Sequence, residues 1–229
     1  KSSISVKQVT FLILSLSFLS FITTNYPSVN NKNDNKYETV TIEDQVWMSE
    51  NFRSKKFVDG TIILQANNEE EWRRACDNGM PAFLCLNYDE DMGKKYGFIY
   101  NWWAINNEHH QIAPQGWKVP TDGDWSKLIW ACDGWDKAGQ HLKSQDYWGK
   151  ECGEVDPNGF NAKPCGGIKL CCGFIEEGHV AQYWRIDEEK EKNHTYPCGI
   201  SVYCNGQISL SLSPEKKKYA GYYLRLVKQ

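Results

Sequence analysis

The run GWKVPTDGDWSKLIWAC, residues 116–132, decides the architecture. Thr121 and Asp124 stand at capping-box spacing, in which a threonine hydroxyl receives the backbone N–H three residues on and the acid reaches back to the threonine's own N–H. Behind them Trp125, Leu128, Ile129 and Cys132 recur at i, i+3, i+4 and i+7, which puts all four on one face of a helix. The spacing predicts a capped helix that buries an aromatic face.

Upstream, residues 67–78 predict a second helix. Asn67 or Asn68 can cap it, and Glu69, Glu70 and Glu71 suit its positive end. Trp72, Ala75 and Cys76 share a face, and Gly79 followed by Pro81 ends it. Pro81 to Tyr88 reads as a strand. Glu38 to Met48 alternates as two short strands around Glu43 and Asp44, the pattern of a hairpin. Beyond residue 145 short apolar segments lie between Gly, Pro, Asn and Cys, ending in an alternating strand from Tyr222 to Val227. The fold class is α+β: two early helices packed on short, mostly antiparallel strands, with a loop-rich second half.

Composition sets the class of protein. Ten Trp, twelve Tyr and nine Phe supply large faces for a core, so stability need not depend on metal or disulfides. A net charge of −3 with interspersed signs offers no basic stripe, which argues against nucleic acid. Lys1 and Lys7 precede an apolar run over residues 9–22, so residues 1–24 read as a signal peptide or an N-terminal hydrophobic anchor. Contact with a membrane would come only through residues 9–22, if they are retained. Residues 25–37, rich in asparagine, read as a polar linker, and residues 38–229 as one domain. The expected location is extracytoplasmic, secreted or at the cell surface.

Three blocks in one order carry a resemblance: VTIEDQVWMSEN (residues 40–51), KYG with YNWWA (95–104), and GWKVPTD (116–122). Together they resemble the Fibrobacter succinogenes major paralogous domain family over about residues 39–229. Gly159-Phe160-Asn161-Ala162, Gly166-Gly167 and the segment from Gly221 to Lys228 are similar to its later parts. The resemblance implies a C-type-lectin-like fold, akin also to formylglycine-generating enzymes. It implies adhesion or carbohydrate contact and no established activity. Where relatives have a cysteine before the Pro-x-Gly-Trp block and another in the last strand, this chain has Ala113 and Leu226. The family's Trp-Trp-Ser-Ser segment is also absent, with Tyr183-Trp184-Arg185-Ile186 near its place.

Nine cysteines is an odd count, so at least one thiol stays free or bonds outside the chain. Cys76 with Cys85, Cys152 with Cys165, and Cys198 with Cys204 are near enough to clip loops, although spacing does not set connectivity and buried thiols are the alternative. Adjacent Cys171 and Cys172 would point to opposite faces of a strand, which disfavours a two-thiolate copper site. Glu154, Asp156 and Asn158, around Pro157, form a candidate calcium loop, against the blander reading of a solvated turn. No other cofactor is expected. His109 and His110 share a loop with Glu108, and adjacent histidines rarely bind one metal. No nucleophile elbow, phosphate loop or His-Glu-x-x-His occurs, so hydrolase and kinase readings have no support. Asn193-His194-Thr195 is a glycosylation sequon.

Trp102, Trp103, Trp117 and Trp125 read as core. Trp148, Tyr183, Trp184 and Arg185, in the loop-rich half, are the candidate ligand-binding residues. The expectation is a non-enzymatic binding or adhesion module that contacts a glycan or an envelope or surface protein. One alternative is a structural accessory subunit of a cell-envelope complex, held by its N-terminal helix. Another is an inactive relative of the sulfatase-modifying enzymes.

Overall fold

The computed structural model describes residues 29–30, 36–155, 157–169, 173–175, 177–186, 198–212 and 219–229. Residues 1–24, most of the linker, Asp156, Cys171, Cys172, the sequon at 193–195 and the side chain of Cys198 lie outside the described residues.

Both sequence-predicted helices form. Asn68 caps Glu69–Asp77, its side chain accepting from Glu71 N, and Trp72, Ala75 and Cys76 are buried. Thr121 caps Asp122–Ala131 with a complete capping box, and Trp125, Leu128 and Ile129 are buried. Shorter helices run over Glu90–Tyr96, Trp102–Ile105 and Ala138–Leu142. Among the described residues no helix is long and apolar enough to cross a membrane.

Among the described residues the strands form three sheets. The hairpin Thr39–Ile42 and Gln45–Met48 pairs in register Val40 with Trp47, with Glu43 of its turn at φ 53°. It belongs to a four-stranded sheet completed by Val227–Lys228 and Trp117–Lys118. A larger sheet is ordered Ile208–Leu212, Cys198–Tyr203, Val180–Arg185, Gly221–Tyr223, Ile99–Asn101, Ala82–Leu84 and Leu64–Gln65; Gly167–Lys169 joins it at Gly221 and pairs with Gly173–Ile175. Parallel pairing occurs between Val180–Arg185 and Gly221–Tyr223 and between Leu64–Gln65 and Ala82–Leu84. The ladders are otherwise antiparallel, and the class is α+β. Val29–Asn30 and Lys36–Tyr37 make a separate two-stranded sheet inside the stretch expected as linker.

Two sequence-predicted strands are cut short. Pro81 to Tyr88 keeps only Ala82–Leu84, because Leu86–Tyr88 coils into a 3₁₀ turn with Asn87 and Tyr88 in left-handed backbone, at φ 55° and 57°. Tyr222 to Val227 divides into Gly221–Tyr223, in the large sheet, and Val227–Lys228, in the small one. Its alternation separates two interiors rather than core from water. Tyr223 and Val227 pack with Trp47, Trp72 and Trp125, whereas Tyr222, Leu224 and Leu226 pack with Phe52, Trp102, Trp117 and Trp184. At Gly221 a side chain has no room, since a Cβ would sit 2.6 Å from both Ile99 and Trp72.

Arg225 knots this partition. It is fully buried, and the five N–H groups of a guanidinium all find oxygen. Nε and Nη2 donate to Asn51 Oδ1 at 3.2 and 2.7 Å, Nη1 to Met48 O at 3.0 Å and to Phe160 O, and Nη2 to Asn161 O at 3.4 Å. The cation lies 4.6 Å from the Phe160 ring centroid. Every one of these acceptors is neutral, so burial pulls the Arg225 pKa below the usual arginine range.

Candidate functional site

The strand Val180–Arg185 is buried at all six positions, which removes Tyr183, Trp184 and Arg185 from any ligand surface. Ladders flank the strand on both edges and aromatic side chains cover its faces. Tyr183 packs on Trp125 and Phe160. Trp184 Nε1 donates to Tyr100 O at 2.8 Å while its ring packs on Trp102 and Tyr222. Arg185 forms an ion pair with Asp122 at the start of the Asp122–Ala131 helix. Trp148 is half-buried and also structural: its Nε1 donates to Ala162 O at 2.9 Å, and Lys143 Nζ stands 5.2 Å from its ring. The four proposed contact residues therefore do not converge. Trp102, Trp117 and Trp125 are core as expected, and Trp103 is half-buried.

The disulfide pattern also differs from the nearest-neighbour pairs. Cys152 bonds Cys204 across a sequence separation of 52, so neither Cys152–Cys165 nor Cys198–Cys204 forms. Cys76 and Cys85 do not join, and they remain buried thiols together with Cys132 and Cys165. Burial pushes the Cys132 and Cys165 thiols up to about 12, the opposite of what a nucleophile or metal thiolate needs. Beside the disulfide the buried Lys143 donates to Cys152 O at 2.8 Å and Cys204 O at 2.6 Å, and burial lowers its pKa.

At the proposed calcium loop Asn158 Oδ1 accepts from Phe160 N at 3.1 Å, and its amide donates to Cys132 Sγ at 3.1 Å. This is a side-chain-capped turn whose amide oxygen is already engaged. Glu154 is exposed. Among the described residues no group of three or more His, Cys, Asp or Glu could hold a metal.

What the fold does assemble is a cleft of about 470 Å³ between the hairpin turn, the Asp122–Ala131 helix and the last strand, lined by Asp44, Gln45, Lys118, Asp124, Lys127 and Lys228. Lys118 Nζ meets Asp124 Oδ2 at 2.7 Å, and Gln45 Nε2 donates to Asp124 O at 3.1 Å. Burial alone would raise the Asp124 pKa, but the bonds from Lys118 and Thr121 outweigh it and hold the carboxyl low. One helical turn beyond Lys127, about 5 Å along the axis, stands Trp130. It is 70% exposed, and its six-membered ring lies against Gly134, where a Cβ would come within 3.3 Å. One region of the ring is supported by backbone and the rest is open to solvent. Trp130 falls five residues from Trp125, about 140° around the helix from the buried face. That displacement is the sequence signal by which it could have been found.

A second cleft, of about 350 Å³, opens beside Glu108, His109, His110, Ile112, Trp117 and Lys118. Here His110 Nδ1 meets Asp59 Oδ2 at 2.6 Å and its ring stacks on Phe57. The Thr61 N–H and His110 hold the Asp59 pKa down to about 2. The histidine is thus engaged with an acid and a ring, and no hydroxyl or thiol nucleophile lines the cleft.

Comparison with curated proteins and with solved structures finds no match. The Fibrobacter succinogenes major domain, by contrast, matches residues 40–228, which takes in nearly all of both cores and both clefts and the whole Arg225 knot, and the chain belongs to that family.

Proposed function

We propose that this protein is a non-enzymatic, extracytoplasmic binding module, secreted or held at the cell surface, that contacts a glycan or a surface protein. Its kinship with C-type lectins, implied by the resemblance, is part of the same proposal. The observation that carries it is Trp130, an exposed indole braced on Gly134 next to a polar cleft. Such a ring offers a flat apolar face to the C–H side of a sugar, or an anchor to a protein, while the amide, ammonium and carboxylate groups in the cleft supply directional hydrogen bonds.

A glycan array probed with the wild type and with Trp130→Ala tests it. Loss of an anchoring aromatic should weaken binding by about tenfold or more, with an unchanged melting temperature because the ring is outside the core. Equal binding by the two proteins would sink the Trp130 site.

One observation favours the second reading, a structural accessory subunit of an envelope complex. Ile62, Leu64 and Met80 are exposed by 65%, 39% and 44% at the Leu64–Gln65 end of the large sheet. Exposed apolar groups at a sheet edge suit a protein partner. Affinity purification of the tagged chain from its source would favour this reading if a stoichiometric envelope protein is recovered with wild type and lost with Ile62→Glu.

A further inference from the structure

Cations concentrate at a place remote in sequence from the Trp130 cleft. A small cavity of about 20 Å³ is lined by Arg53, Lys94, Lys95, Lys163 and Arg225, with Glu50 as the carboxylate among the lining side chains. Five cations around one acid run against the net charge of the chain, −3. Two are already neutralised: Arg53 meets Glu50 at 2.6 Å, and Lys94 meets Asp91 at 2.7 Å. Glu50 has little left to offer, because its other oxygen accepts from Glu38 N at 3.0 Å. Arg225 gives its donors to neutral oxygens. Lys95 and Lys163 have no carboxylate within ion-pair distance among the described residues. Lys163 Nζ instead donates to Lys95 O at 3.3 Å, leaving donors of both ammonium groups unspent.

Aromatic rings hold the two lysines in place. Lys95 Nζ stands 4.7 Å from the Tyr96 ring centroid and 5.6 Å from that of Tyr147; Lys163 Nζ stands 4.6 Å from Tyr147 and 5.9 Å from Tyr96. The rings themselves meet edge to face at 5.9 Å. Cation–π contacts of this kind orient an ammonium group without cancelling its charge. The Tyr96 hydroxyl also raises the Lys95 pKa, so that lysine stays protonated.

We propose that this cleft is a binding site for an acidic polysaccharide, taking a carboxylate or sulfate substituent between Lys95 and Lys163. The cavity has room for one or two oxygens of such a substituent and not for a sugar ring, so the ring lies outside, over the lysine stems. Single-stranded nucleic acid fits less well, because bases need open aromatic faces, and these two rings are already covered by ammonium groups. A lipid surface fits less well too. Among the described residues the patch offers two large apolar side chains to solvent, Tyr147, exposed by 37%, and the half-buried Tyr96, whereas membrane docking needs several apolar groups free to insert. The site extends the binding-module reading to a ligand class but uses none of the residues around Trp130.

The test measures binding of the full chain to polygalacturonate, dextran sulfate, neutral dextran, polyglutamate and phosphatidylglycerol vesicles across a salt series. The expected result is binding to one or both acidic polysaccharides and not to dextran, weakening as salt rises. Polygalacturonate against dextran sulfate tells carboxylate from sulfate. Lys95→Gln/Lys163→Gln should lower affinity at least tenfold at an unchanged melting temperature. Lys137→Gln/Lys150→Gln, the same charge change elsewhere on the surface, should not. Three results overturn the site: no binding to either acidic polysaccharide, equal losses in the two double variants, or tighter binding to polyglutamate or vesicles. Trp130→Ala separates the two readings, since it should leave this binding intact.

Discussion

Arg225 and Lys143 are both fully buried cations, and both are held by neutral oxygens. They are held differently. The planar fork of Arg225 has its five donors met by oxygens from two segments far apart in sequence, residues 48–51 and 160–161. Lys143 makes two bonds, to the carbonyls of the two cysteines that already share a disulfide, and sets its ammonium near the Trp148 ring. A guanidinium cannot shed its charge, so the fold around it must satisfy every donor. An amine can give up its proton, and the disulfide beside Lys143 already holds the two strands of chain together. One cation organises its region, and the other decorates a link that exists without it.

Arg225→Ala leaves Asn51 and three carbonyls buried without donors, and should lower unfolding stability by about 3–5 kcal/mol. Arg225→Lys should recover little of this, because an ammonium group has three donors for four acceptor oxygens. Urea titration at constant m-value measures both, and a loss below about 1 kcal/mol for the alanine variant would show that the knot organises nothing. Next comes the covalent link: removing it in Cys152→Ala/Cys204→Ala should cost about 3–4 kcal/mol for a loop of 52 residues. If that variant is as stable as wild type, Lys143 and its carbonyls are holding the two segments after all.

The smallest effect is expected at Lys143. Lys143→Met, similar in volume and free of charge, should change stability by less than about 1.5 kcal/mol at neutral pH. The pH dependence has a definite sign. Burial lowers the folded pKa of Lys143, so above that value the unfolded chain binds more protons than the folded one. Wild-type stability should therefore rise relative to Lys143→Met as pH climbs from the lowered pKa toward the ordinary lysine range. A difference in melting temperature that stays flat across that window would mean that Lys143 keeps its charge as firmly as Arg225.

Features governed by neighbours in sequence were legible. The capping box, the Asn68 cap and the hairpin around Glu43 and Asp44 each rest on residues within a few positions, and each forms. Features governed by burial on two sides were not. Alternation reports a strand with one wet face, and neither Val180–Arg185 nor the segment from Tyr222 to Val227 has one. That is why Tyr183, Trp184 and Arg185 looked available to a ligand. Long-range partners were also invisible: Cys152 and Cys204, or Lys95 and Lys163 across 68 positions, meet only because the fold brings them together. Trp130 was legible in principle, because its position off the apolar face needs only helical geometry.

The pairing of Val227 with both Trp47 and Lys118 bears on how the chain can be made. Synthesis is vectorial, and domains generally fold as units as they emerge. The early hairpin gains its third strand only when residue 227 has left the ribosome, and Arg225, two positions before, arrives at the same moment. Until then the wall between the two cores is incomplete and Trp117 lacks its strand partner Lys228. Completion of the small sheet and of the Arg225 knot is therefore one event, which waits until the chain has been made past residue 227.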